Sequence, residues 1–253
     1  MIEADRVTAK YDFRSIRLHV EAPLCEGALV ALNRSQTHYL GTVLRLKSND
    51  RLLVFNGRDG EWDAAIEVQR RAAVLHVGVK IRAQTEPTDL HYLFAPLKAA
   101  RLDYMVQKAV EMGVSRLQPV LTRHGQVTRV NTSRMRANAI EAAEQCGILT
   151  LPEIAEPAAL TGAIAEAGRG RTLVFCDEEA EVADPIAALG VVPPRSPLSV
   201  LIGPEGGFAE DERSALLKLP NVVRLALGPR ILRADTAAVA ALALVQAVLG
   251  DWG

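Results

Sequence analysis

Hydrophobic and polar positions change their rhythm once along the chain. Ile16, Leu18 and Val20 alternate with Arg17, His19 and Glu21, and Ala73, Leu75, Val77, Val79 and Ile81 alternate with His76, Gly78, Lys80 and Arg82. Between them, RLLVFN (51–56) leads through Asn56-Gly57 and Asp59-Gly60 into WDAAIEV. Period-two runs separated by NG and DG turns predict hairpins with one buried face. Several short strands in so brief a span suggest a small barrel over residues 1–82. The polar, proline-containing stretch Ala83-Gln-Thr-Glu-Pro-Thr-Asp89 predicts a boundary.

From residue 89 to 253 strands and helices alternate. LHYLFAPL (90–97), RLQPVL (116–121), TLVFCD (172–177), SVLI (199–202) and NVVRLAL (221–227) read as strands. Leu102, Met105, Val106, Ala109 and Val110 recur at helical spacing, with Gly113 as the stop. Met135, Ala139, Ala142, Ala143 and Cys146 line a second helical face ending at Gly147. Further helices are expected over about 158–167, over Asp211–Lys218 and over Ala234–Leu249. This alternation predicts an α/β domain with a largely parallel sheet. The last helix is apolar nearly all round, so it needs burial on more than one face. Its own domain or a second subunit would serve equally well.

Composition narrows the setting. At 49% hydrophobic and 23% charged residues, the chain has the balance of a folded soluble protein. The N-terminus, MIEADRVTAKYDFRS, has no apolar core of a secretory signal. The longest nearly apolar run, Ala237 to Leu249, is too short to span a bilayer. Cys25, Cys146 and Cys176 show no metal-ligand or disulfide spacing, so no metal is expected and a reducing cytoplasm is.

Net charge is −1, which does not by itself suggest nucleic acid. Residues 1–82 carry 13 Lys/Arg against 10 Asp/Glu, a balance of +3; the remainder carries 16 against 20, or −4. No acid occurs between Glu111 and Glu141, an interval holding Arg116, Arg123, His124, Arg129, Arg134 and Arg136. Either these form a phosphate-binding face or other segments supply their counter-charges.

Two turns carry the candidate chemistry. In Gly203-Pro204-Glu205-Gly206-Gly207 three glycines and a proline separate a buried strand from an acidic helix start, where the macrodipole favours negative charge. Turns at the C-terminal ends of parallel strands are where such sheets bind ligands, and glycine lets backbone approach a ligand closely. The spacing is neither that of a P-loop nor a dinucleotide fingerprint. Gly168-Arg-Gly170 also fails as one. The second turn lies in Leu225-Ala-Leu-Gly-Pro-Arg-Ile-Leu-Arg-Ala-Asp-Thr-Ala237, again strand, glycine–proline turn, helix. Two such turns could wall one pocket. Arg230, Arg233 and Asp235 would be costly there unless paired or functional.

GPEGG followed by LGPRILRADTA resembles the C-terminal signature of the RsmE-type 16S rRNA uridine-N3 methyltransferases, within the SPOUT superfamily. RLDYMVQKAVEMGVSRLQPV and IEAAEQCG are similar to family segments, and HYLGTVLRLKSNDRLLVFNGRDGEW resembles the family's PUA-like N-terminal barrel. The resemblance implies a trefoil knot in the C-terminal part of the α/β domain and a homodimer paired through the terminal helices. It implies S-adenosyl-L-methionine held by Ile202, Gly203, Pro204, Glu205 and Gly206 on one loop and by Leu227, Gly228, Ile231 and Leu232 on the other. The implied substrate is 16S rRNA in the small ribosomal subunit.

The chain departs from the family pattern at Asp235, where Glu is usual, at Ala209, where a capping residue is usual, and at Ile148, where Arg is common. Arg233 is the candidate for stabilising a uridine anion. Asp235 is a candidate base or a partner holding Arg233. Arg123 and His124 are candidates for facing RNA. The alternatives are ribose 2′-O methylation, whose SPOUT branch carries Ser-Leu-Asn where this chain has Ile-Leu-Arg, and a non-catalytic RNA-binding protein on the same fold.

Overall fold

The computed structural model describes residues 15–70, 72–167, 169–180 and 184–252. Most of the polar N-terminal stretch, and Gly168 of Gly168-Arg-Gly170, lie outside them. Two units emerge: one runs through Thr85 and includes Glu144–Leu149, and the other holds Glu86–Ala143 and Thr150 onward.

In the first unit the strands are β1 (Arg17–His19), β2 (Leu29–Ala31), β3 (Arg51–Phe55), β4 (Glu61–Val68) and β5 (Ala73–Arg82). A short helix, α1 (Arg34–His38), runs into a π-helical turn over Tyr39–Val43. The five strands form one sheet in the order β1-β3-β4-β5-β2. The NG and DG signals make the predicted β3–β4 hairpin, antiparallel with Val54 opposite Trp62. Leu52, Val54, Ala64, Ile66, Leu75 and Val77 share one core, which is the alternation at work.

Alternation fails at β1. Arg17 and His19 were expected to face solvent, yet all three residues of the strand are buried. The cause is a polar cluster the pattern could not reveal. Arg17 Nε donates to Glu61 at 2.7 Å and Arg82 Nε donates to the same carboxylate at 2.6 Å. His19 packs edge-on to Phe55 at 5.5 Å.

The second unit contains β6 (Leu90–Phe94), α2 (Ala99–Glu111), β7 (Arg116–Leu121), α3 (Thr132–Cys146), β8 (Glu153–Ile154), β9 (Ala158–Ala159), α4 (Leu160–Ala167) and β10 (Thr172–Cys176). It continues with α5 (Pro185–Leu189), β11 (Leu198–Ile202), α6 (Glu210–Leu217), β12 (Val222–Leu225) and α7 (Ala234–Val248). The sheet runs β12-β10-β11-β6-β7-β8, with β9 also on β7, and every pairing is parallel. All five residues of β11 are buried, as expected for the middle of a covered parallel sheet. Even Ser199 is inside, with its Oγ accepting from Arg171 Nε at 3.2 Å.

The helices follow the predicted faces with small corrections. Leu102, Met105, Val106, Ala109 and Val110 of α2 are buried, and Gly113 takes a φ of 76° just beyond it. On α3, Met135, Ala139, Ala142 and Ala143 are buried, but Cys146, the last residue of the helix, is exposed although it shares their face. Residues 158 and 159 pair with β7 as a short strand instead of starting α4.

On α7, Ala238, Ala241, Leu242, Val245 and Gln246 are buried, while Ala240, Ala243 and Leu244 are half-buried. Gln246, the one break in that apolar run, is buried for a reason. Its amide donates to Met112 O at 2.6 Å and accepts from Asp251 N at 3.2 Å. No helix among the described residues is long and apolar enough to cross a membrane.

Candidate active site

Strands β11, β10 and β12 are neighbours and run the same way, so their C-terminal turns converge. They enclose a cleft of about 460 Å³. All nine residues expected from the two turns line it: Ile202, Gly203, Pro204, Glu205 and Gly206 on one side, Leu227, Gly228, Ile231 and Leu232 on the other. Leu225 also reaches the wall, although it is completely buried.

The local sequence explains the shape of the turns. Gly203 stands where a Cβ would come within 2.5 Å of the Phe208 ring, and that ring packs edge-on to Phe175 at 5.4 Å. Glycine is therefore required for close packing under the turn as well as for an open mouth. Gly228 holds a φ of 93°, a conformation costly for other residues. The helix after GPEGG starts without a capping side chain at Ala209. Instead the Glu212 carboxylate accepts from Ala209 N at 3.0 Å and from Arg123 N at 2.9 Å.

A third wall was not anticipated. Phe175, Cys176, Asp177, Glu178 and Glu179 close the cleft from the end of β10. Strand TLVFCD was legible, but nothing in it marked a site. Burial pushes the Cys176 thiol up to about 12, so it stays neutral. Asp177 is buried between Arg213 at 3.0 Å and Arg224 at 2.8 Å. Burial opposes its charge, but these two arginines hold its carboxyl below the usual range. Glu178 is exposed at the rim.

Arg233 and Asp235 part company. Arg233 is the N-cap residue of α7 and is exposed; among the described residues its guanidinium has no hydrogen-bond or ion-pair partner, and it is not in the cleft wall. Asp235 does not hold it. Asp235 instead takes a two-pronged pair from Arg101 on α2, at 3.0 and 3.2 Å, and Arg101 also donates to Glu205 of the GPEGG turn. The Arg101 guanidinium keeps the Asp235 carboxyl below its ordinary value. Arg101 thus links α2, the first turn and the start of α7. It lay inside a family-like segment, but a single arginine on a helix carries no sign of such a distant partner.

Arg123 and His124 follow β7. Arg123 pairs with Asp211 at 2.6 Å, and His124 Nδ1 lies 3.3 Å from Gly206 O, beside the cleft. Much of the basic interval is neutralised by other segments. Arg116 pairs with Glu166 and Arg134 with Asp103, leaving Arg129 and Arg136 exposed.

Comparison with known proteins follows this division. The model of an RNA methyltransferase domain matches residues 84–246, and that of an RNA methyltransferase PUA domain matches residues 32–77. The ribosomal RNA small subunit methyltransferase E of Rickettsia conorii is 30% identical over 91% of this chain and 94% of its own length. The solved structure of a ribosomal RNA small subunit methyltransferase E from Neisseria gonorrhoeae, bound to S-adenosylmethionine, superposes with a TM-score of 0.84. It is 25% identical and covers 94% of this chain and all of its own. A Legionella pneumophila protein solved with the same cofactor gives 0.82 at 29% identity, covering 92% of this chain and 98% of that one.

Proposed function

The chain belongs to the RNA methyltransferase family, and from that premise we propose that it methylates N3 of one uridine in the 16S rRNA of the small ribosomal subunit, using S-adenosylmethionine. The observation that carries this reading is the pair of glycine–proline turns facing one another across a single cleft.

The cleft suits the cofactor. Its volume falls within the span of small-molecule sites. Backbone of Gly203, Gly206 and Gly228 is open to an adenine edge, and Ile202, Leu227 and Leu232 offer apolar contact. Glu178, exposed at the rim, places a carboxylate where a cationic ligand is favoured, whereas Glu179 and Glu205 are paired with Arg213 and Arg101. When bound, the cofactor supplies a methyl group already activated as a sulfonium. At the acceptor, N3 would give its proton to solvent water, and its electron pair would form the new bond to carbon as the electrons of the carbon–sulfur bond go to sulfur.

The protein's tasks are to hold the uridine, to stabilise the charge left on O2 and O4, and to align N3. Arg233, exposed at the start of α7 and unpartnered among the described residues, is one cation proposed for that charge. Asp235, held ionised by Arg101, is better suited to fixing the start of α7 than to taking a proton. Arg123 and His124, beside the GPEGG turn, are read as facing RNA.

In the same reading the N-terminal unit, residues 1–82, docks RNA, while residues 89–253 form a knotted methyltransferase domain. The insertion of β11 between β10 and β6 supports the knot. The half-buried residues of α7 support a homodimer, and the substrate assigns the protein to the cytoplasm.

The test is incubation of the full protein with small ribosomal subunits and labelled cofactor, followed by nucleoside analysis. N3-methyluridine is expected, with a stop to reverse transcription at one position, since N3 lies on the pairing edge. A 2′-O-methylated product would overturn the N3 assignment, and no cofactor binding would favour the non-catalytic alternative. Arg233→Ala should lower turnover about 10²-fold while leaving cofactor affinity nearly unchanged.

A further inference from the structure

We infer that a second, smaller cavity adjoining the GPEGG turn receives the extruded uracil ring, and that Lys98 is the residue that recognises its carbonyl edge. The inference rests on the uridine reading above and locates its acceptor.

The cavity measures about 140 Å³. Pro204 and Glu205 line both it and the larger cleft, so the two sites adjoin at one turn, as an acceptor must lie against the group it receives. Leu97, which is buried, and Val127 and Pro204, which are half-buried, line it and give apolar surfaces for the faces of a flat ring. Lys98 and Gln126 are exposed where the cavity opens.

The polar groups fit an imide. Uracil presents two carbonyl oxygens flanking N3. Lys98 is a pure donor, and Gln126 brings both a donor and an acceptor. Among the described residues the Lys98 ammonium has no carboxylate partner. The neighbouring Arg101, by contrast, is committed to Asp235 and Glu205. A free cation beside O2 or O4 stabilises the ring most once N3 has lost its proton, which is the condition for accelerating the step. Enzymes acting on a base must also take it out of the stack into a fitted pocket. A cavity much smaller than the cofactor cleft is matched to a ring, with the ribose and phosphates left outside.

Full-length protein carrying Lys98→Ala, Lys98→Arg or Val127→Trp would be assayed on small ribosomal subunits, with cofactor affinity measured separately by calorimetry. Lys98→Ala should lower kcat by about 10²-fold, Lys98→Arg should recover much of it, and Val127→Trp should raise KM for the subunit. Cofactor affinity should stay at the wild-type level in all three. Unchanged turnover in Lys98→Ala, or unchanged KM in Val127→Trp, would overturn the pocket while leaving the uridine activity standing. Cofactor affinity lost in parallel would overturn it too, by making these residues supports of the neighbouring cleft. Wild-type protein that binds cofactor yet methylates no uridine would instead remove the reading on which the pocket rests.

Discussion

Gly203 shows how one absent methyl group serves two purposes. Its missing Cβ makes room for Phe208, and its backbone faces the cleft. Gly203→Ala should cost roughly 1–3 kcal/mol through overpacking and weaken cofactor binding, read by thermal unfolding and calorimetry on the same variant. Glu61 is the opposite case, a charge wholly inside and held by two arginines. Burial would raise its pKa, but Arg17 and Arg82 lower it below the ordinary value.

A lowered folded-state value means that the unfolded chain takes up protons first on acidification. The stabilisation is therefore complete at neutral pH and is lost as pH falls below about 4. Glu61→Gln should destabilise by about 3–5 kcal/mol at pH 7 and flatten this acid dependence in denaturant titrations. Neither Gly203's neighbour nor Glu61's partners were legible in the sequence. Both depend on residues that only folding brings together, whereas the glycine-rich turns stood out in the sequence as candidates, and their resemblance to a family signature pointed to one cleft.

Elements were more readable than contacts. Helices α2 and α3 were evident from their period, because each has one apolar stripe, and α7 from its nearly unbroken apolar run. The short ones, α1 and α5, and the two-residue strands β8 and β9 were not, because so few residues show no period. The tie among α2, the GPEGG turn and α7 also lay beyond reach, since its three charged members are far apart in sequence. Arg101→Ala should release the turn and the start of α7 together. Because Arg101 and Glu205 are partly solvated, the expected result is a drop in turnover exceeding any change in unfolding midpoint. Steady-state kinetics beside a denaturant curve would check this, and Arg101→Lys should not restore the two-pronged geometry.

For the whole molecule, the half-buried apolar positions of α7 are the ground for expecting a dimer. Leu244→Glu should convert the dimer to a monomer in light scattering at micromolar concentration, with cofactor affinity falling in step if the interface supports the cleft. Phosphate contacts by the N-terminal unit would make rRNA affinity fall steeply with salt.

The strand order also sets a timetable. β6 lies beside β11, so Leu90 waits for Leu198 before the middle of the sheet can close. The larger cleft is drawn entirely from Phe175 onward. While the chain is being synthesised, the residues before Phe175 can therefore gather helices around an incomplete sheet, but the cofactor cleft cannot exist until the segment through Ala237 has followed. Refolding should be slow for the same reason, since pairing of distant segments must precede most of the native contacts that reward it.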